Sequence, residues 1–208
     1  MRPVLHSRCA LFTPLCLGVI AVAVAGCGKE EPPVRRGAPP ASLTALGGKV
    51  VRKPEGTVID LRNSPAFTDA TVDLVLKETN VIDLTLQNVG LTDAGVAKLK
   101  SLNKLGRLIL NRSRVTGASL AELAKMPLKD TLWNIGLTDI PVTDADLSNV
   151  SQFPRLSRIG LAGTKVTDAG LQHLLGGQFR MVDVQRTAVT EDGVAMLKKQ
   201  FPEANILK

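Results

Sequence analysis

Apolar residues recur along this chain in one fixed order of spacings. In the segment that begins at Val81 they fall at Val81, Leu84, Leu86, Leu91, Val96 and Leu99. The same six offsets return from Leu105, Leu132, Leu156 and Phe179, so that thirty template positions over five units all hold hydrophobic side chains. An earlier unit, carrying Ile59, Leu61, Phe67, Val72 and Val75, fits the template with one extra residue. The period switches within each unit. Leu84-x-Leu86 alternates with period two and predicts a short strand with both leucines on one side. Leu91, Val96 and Leu99 suit a turn followed by a short helix.

A polar marker sits at a constant place in this pattern. Thr68, Thr92, Thr116, Thr143, Thr167 and Thr190 follow one another at intervals of 24, 24, 27, 24 and 23 residues. Each stands where a helix begins, so its hydroxyl is placed to cap an orphan backbone N–H. The Asp that usually follows sits favourably against the positive end of the helix dipole. Gly95, Gly170 and Gly193 fall in the first helical turn and would allow close packing of neighbouring units. A strand–turn–helix unit of this size cannot bury its apolar face alone, so the units must stack into a solenoid.

The run Val81-x-x-Leu84-x-Leu86-x-x-Val89-x-Leu91 and its four further copies resemble the leucine-rich-repeat family, whose signature is L-x-x-L-x-L-x-x-N/C-x-L. The string Leu91-Thr92-Asp93-Ala94-Gly95-Val96 is similar to the cysteine-containing, ribonuclease-inhibitor-like subclass. The resemblance covers about residues 57–207 and implies an α/β solenoid: a curved, right-handed strand–turn–helix coil of about six repeats. One departure is plain. The N/C position holds Val89, Ser113, Ile140, Thr164 and Thr187, so the usual ladder of asparagine or cysteine side chains is incomplete. Some loop backbone must find other partners.

The first forty residues carry an address. Arg2 and Arg8 precede an apolar run that ends in the small residues before Cys27, which is the arrangement of a secretory signal. Val24-Ala25-Gly26-Cys27 resembles the bacterial lipobox, which implies cleavage before Cys27 and acylation of its thiol. A plain signal peptide cleaved nearby and an uncleaved anchor stay open as alternatives. The division expected is a signal over 1–26, an acylated Cys27 with a proline-rich tether over 27–41, an end cap over 42–57, and repeats with a closing strand over 58–208. The expected location is the cell envelope, on a bacterial membrane through the lipid.

Charge and chemistry narrow the function. The whole chain is +7. Without residues 1–26 it has 24 Lys and Arg against 19 Asp and Glu, with no long basic run. Aromatics number six and none is Tyr. Nucleic-acid binding, which wants a clustered basic patch with stacking rings, is not indicated. No catalytic, cofactor or metal cluster stands out. His173 lies between helical leucines, and Cys9 and Cys16 would leave with the signal.

What remains is a surface. In the fold that the resemblance implies, residues flanking the inward leucines point outward on the concave strand face. They are Asp83, Thr85 and Gln87; Arg107, Ile109, Asn111 and Arg112; Trp133, Asn134 and Asp139; Arg158; and Met181, Asp183, Gln185 and Arg186. Their chemistry changes from unit to unit while the core does not. The Thr116–Thr143 unit is three residues longer, and the excess fits best at Leu128-Lys129-Asp130, just before Trp133. A sole tryptophan here is either a binding hot spot or a large core filler. The expectation is a membrane-anchored, non-catalytic module that binds an unidentified protein partner. The alternative is a structural envelope component that associates with cell-wall polysaccharide or with itself.

Overall fold

The computed structural model describes residues 41–208. The signal, Cys27 and all but the last residue of the tether lie outside the described residues. The described chain forms one eight-stranded sheet in strict chain order. Strands β1 (Lys49–Lys53) and β2 (Gly56–Asp60) form an antiparallel hairpin. Each later strand adds parallel to the one before it: β3 (Val81–Thr85), β4 (Arg107–Ile109), β5 (Asn134–Gly136), β6 (Arg158–Gly160), β7 (Met181–Asp183) and β8 (Asn205–Leu207).

Short helices connect the parallel strands. They are α1 (Asp73–Leu76), α2 (Asp93–Ala97), α3 (Ala118–Ala124), α4 (Asp144–Leu147), α5 (Asp168–Leu171) and α6 (Glu191–Gln200), and 3₁₀ turns extend α2, α4 and α5. This is an α/β leucine-rich-repeat solenoid. Strands pack about 4.8 Å apart while packed helices need about 8–10 Å, so the sheet takes the inner, concave side.

The core runs the length of the stack. All thirty template hydrophobics are buried, as are Ile59, Leu61, Phe67, Val72 and Val75 of the first coil. Leu43 and Leu46 close its first end from a 3₁₀ turn at Thr44–Leu46. The three-residue excess of the third unit is a further 3₁₀ turn, Pro127–Asp130, which buries Leu128.

Backbone bonds between coils replace the incomplete side-chain ladder. Ser113, Thr164 and Thr187 donate their hydroxyls to carbonyls three residues back. Val89 and Ile140 are simply buried. The loop amides beside them are met by the next coil, as in Asn88 N to Asn111 O and Asp139 N to Ala162 O.

The threonine–aspartate phrase does more than cap helices. The Asp after each Thr accepts from the Thr of the following coil, through both backbone N–H and hydroxyl. Asp69 serves Thr92, Asp93 serves Thr116, Asp144 serves Thr167 and Asp168 serves Thr190, with N–O distances of 2.8–2.9 Å. Asp168 is held below the usual carboxylate range by the Thr190 hydroxyl and then by the Thr190 amide. Gly95, Gly170 and Gly193 lie where a Cβ would strike the incoming carboxylate, which is why the first helical turn is open there.

One junction is built the other way round. The residue after Thr116 is Gly117, which has no carboxylate to offer Thr143. Asp146 stands where three other coils have Gly95, Gly170 and Gly193, and it accepts from the amide and hydroxyl of its own Thr143 at 2.8 and 2.7 Å. A Cβ on Gly117 would collide with the Asp146 carboxylate. The missing side chain and the added one occupy the same space.

Candidate functional site

The strand register aligns the expected binding residues into rows. Asp83, Arg107, Asn134, Arg158 and Met181 form one row across β3–β7. The next row is Thr85, Ile109, Gly136, Gly160 and Asp183. Beyond the strands lie Gln87, Asn111 and Gln185.

The middle row is not the exposed strip that alternation along the strands implies. Thr85 is 5% exposed and Ile109 8%. Parallel strands of three to five residues bring these positions close together, and their long neighbours lean over them. Ile109 and Asn111 lean across Gly136, where a Cβ would meet the Asn111 Oδ1 and the Ile109 Cδ1 at 2.8 Å. Asn111 Oδ1 in turn accepts from the Thr138 amide at 3.0 Å.

Glycines therefore floor a groove in the strand face. It has a volume of about 260 Å³ and is walled by Arg107, Asn111, Asn134, Thr138, Arg158, Met181 and Asp183 over Gly136 and Gly160. Gly160 is the open point of the floor. A Cβ there would find its nearest neighbour, Thr138 Oγ1, at an ordinary 3.6 Å.

Arg112, Asp139 and Arg186 are displaced from this face. They occupy the turn after their strands in the left-handed region, with φ of 55°, 56° and 54°. There they are tied to one another. Arg112 Nε donates to Asp139 at 2.8 Å, and Arg186 Nη1 reaches Asp139 from two coils away at 2.9 Å. The fifth coil has Gly163 at this position, with φ 68°, and any Cβ there would block the Asp139 carboxylate. The Arg112 hydrogen bond, then that of Arg186, holds Asp139 below the usual carboxylate range. Asp83 is similarly taken up by Arg107 at 3.0 Å.

Trp133 is not a core filler. It is 40% exposed, the one large exposed hydrophobic among the described residues. Its ring rests on Gly106, where a Cβ would lie 2.6 Å from the indole Nε1, and the Arg158 guanidinium lies 5.6 Å from the ring centroid. Trp133 also borders a second, larger cleft of about 760 Å³ at the edge where the chain runs into each strand. Lys53, Asn80, Ile82, Lys104 and Arg155 line it as well. Sequence reasoning had missed these five residues. Lys104 and Arg155 do share one repeat position, just before the first apolar residue of the unit, and that was the available signal. His173 is exposed on a 3₁₀ turn, Gln172–Leu174, beside Phe153 and Phe179.

No family model matches the chain, and no curated protein matches it. Among solved structures, a leucine-rich-repeat protein of Leptospira interrogans is similar at 17% identity, with a TM-score of 0.46 over 71% of this chain. The chain spans about a third of that protein, 34% of its length. The solenoid is evident from the strand order of this chain itself.

Proposed function

We propose that this chain is a non-catalytic protein-interaction module, carried on a bacterial membrane through lipid on Cys27, whose open strand face takes the partner. The glycine-floored groove supports the reading. A structural stack needs no recess on its inner face, and a larger side chain at position 160 would fill this one without a clash. Here Gly160 leaves room, and the walls around it carry one side chain of almost every chemistry: cationic Arg158, amide Asn134, thioether Met181 and anionic Asp183. Recognition sites combine such shape and mixed polarity.

Filling the groove tests this. Gly160→Gln adds bulk where a Cβ meets only ordinary contacts. It should leave thermal stability within about 0.5 kcal/mol of the starting protein. It should also remove the discrete protein that the intact chain retains when crosslinked on whole cells. Retention on insoluble wall material, untouched by Gly160→Gln, would instead favour the structural envelope reading. The mass of the mature N-terminus reads the anchor directly: a diacylglyceryl Cys27 supports it, and an unmodified or uncleaved terminus removes it.

A further inference from the structure

The two long edges of the solenoid treat charge differently. At the trailing edge, where the chain leaves each strand, carboxylates are already engaged. Asp69, Asp93, Asp144 and Asp168 accept from threonines, and Asp60 and Asp139 pair with arginines. At the leading edge Arg52, Lys53 and Lys125 pair with Glu78, Glu55 and Glu122, but a further set of cations has no such partner. Lys77, Lys100, Lys104, Lys129, Arg155 and Arg180 make no ion pair among the described residues. The polarity follows partly from helix dipoles, which place acids at helix starts and bases at helix ends. It leaves one edge of the molecule seeking anions.

The leading-edge cleft concentrates that character. Its two acids are occupied, Asp83 by Arg107 at 3.0 Å and Glu55 by Lys53 at 3.9 Å. Lys104 and Arg155 are left over on either side of Trp133, one coil before it and one after. The indole lies between them, and Pro54, Val58 and Ile82 continue the apolar wall on the two coils before Lys104. The recess is concave, so a flat bilayer cannot enter it. Branched aliphatic walls suit an alkyl side chain better than a sugar ring, and the indole face is already shared by Gly106 and Arg158.

We infer that this cleft is a second recognition site, which takes an acidic protein segment in which an apolar side chain is flanked by carboxylates. The apolar group seats against Trp133 and Ile82, and the carboxylates meet Lys104 and Arg155. The inference rests on the reading that the partner is a protein, and it names the chemistry of that partner. The row of unpaired cations along the edge steers such a segment toward the cleft from a distance.

Trp133 is the sole tryptophan and the chain has no tyrosine, so all intrinsic indole emission arises from a residue that borders this cleft. The full-length protein in non-ionic detergent is titrated with the end-blocked peptide Asp-Glu-Leu-Glu-Asp while Trp133 emission and heat are followed. Saturable binding with an emission shift is expected. It should weaken roughly tenfold or more in the Lys104→Glu, Arg155→Glu double variant and be lost for Asn-Gln-Leu-Gln-Asn. Replacing Leu by Ser in the peptide should cost roughly tenfold.

Equal binding of the neutral peptide, or a double variant within twofold of the starting protein, overturns the inference. So does an emission response to phosphatidylglycerol vesicles with none to the peptide. Gly160→Gln separates the two proposals. It should abolish capture of the cellular partner and leave peptide affinity unchanged. Failure of the peptide with capture intact sinks only the cleft. Retention on wall material alone sinks the protein-binding reading.

Discussion

The junction between the fifth and sixth coils and the junction between the third and fourth do the same job with opposite parts. In the first, Asp168 reaches forward to Thr190, and Gly193 makes room for it. In the second, Asp146 reaches back to Thr143 on its own coil, and Gly117 makes room from behind. Both arrangements give the helix start one carboxylate and one missing Cβ. What these two junctions share is an acceptor in a space of fixed volume, and the coil that supplies it is free to vary; the Asp93–Thr116 junction keeps the acceptor with Ser119 at the glycine position.

This equivalence can be broken. Gly117→Asp alone forces a second carboxylate into space that Asp146 already fills, and should cost about 3 kcal/mol in chemical denaturation. Asp146→Gly alone leaves the Thr143 amide and hydroxyl without an acceptor and should cost about 2 kcal/mol by the same measurement. The double variant converts this junction to the forward pattern. It should return to within about 0.5 kcal/mol of the starting protein, a coupling far outside additivity. A double variant as unstable as the sum of the singles would show that the two junctions are not interchangeable.

Smaller effects sharpen the contrast. Asp144→Ala removes the acceptor for Thr167 while Gly170 stays open, so water can enter; a loss of about 1 kcal/mol is expected. At the exposed corners the signature is in pH rather than size. Asp139 and Asp168 are both held below the usual carboxylate range in the folded protein. Their contribution is complete above the unfolded value of about 3.9 and is lost as pH falls through the lower folded value. The melting temperature should be flat with respect to these groups above about pH 5 and fall below it. Asp139→Asn should flatten part of that fall, and an unchanged acid limb in the variant would refute the assignment.

The leucine and valine offsets carried the fold in the sequence because a stacked core repeats its burial at every coil, and each inward position is seen many times over. The same repetition exposed Thr, Asp and Gly as a phrase, but not their relation. Local rules read Asp69 and Asp168 as residues near a helix dipole, whereas their main partners lie 22–23 residues onward. The strand face was legible as a location and misjudged in detail. Alternation assigns Thr85 and Ile109 to solvent, but short parallel strands crowd these positions under their neighbours. Arg112, Asp139 and Arg186 follow the strands too closely in sequence to be separated from them without knowing that their backbone turns left-handed. The leading-edge cleft was missed because Lys53, Lys104 and Arg155 belong to three different coils, and only stacking brings them to one recess.

Because each forward carboxylate finds the same pair of donors one coil ahead, the stack is indifferent to how many such coils it contains. Excising the 24 residues after Asp146 would keep the reversed seam at Gly117 and Asp146 and hand the Asp144 carboxylate to Thr190 in place of Thr167, with Gly193 waiting where Gly170 had been. Tandem duplication or loss of a whole turn is thus tolerated wherever the hand-off runs forward, and penalised across Gly117 and Asp146. The reach of the molecule can lengthen or shorten over generations everywhere except at that one reversed seam.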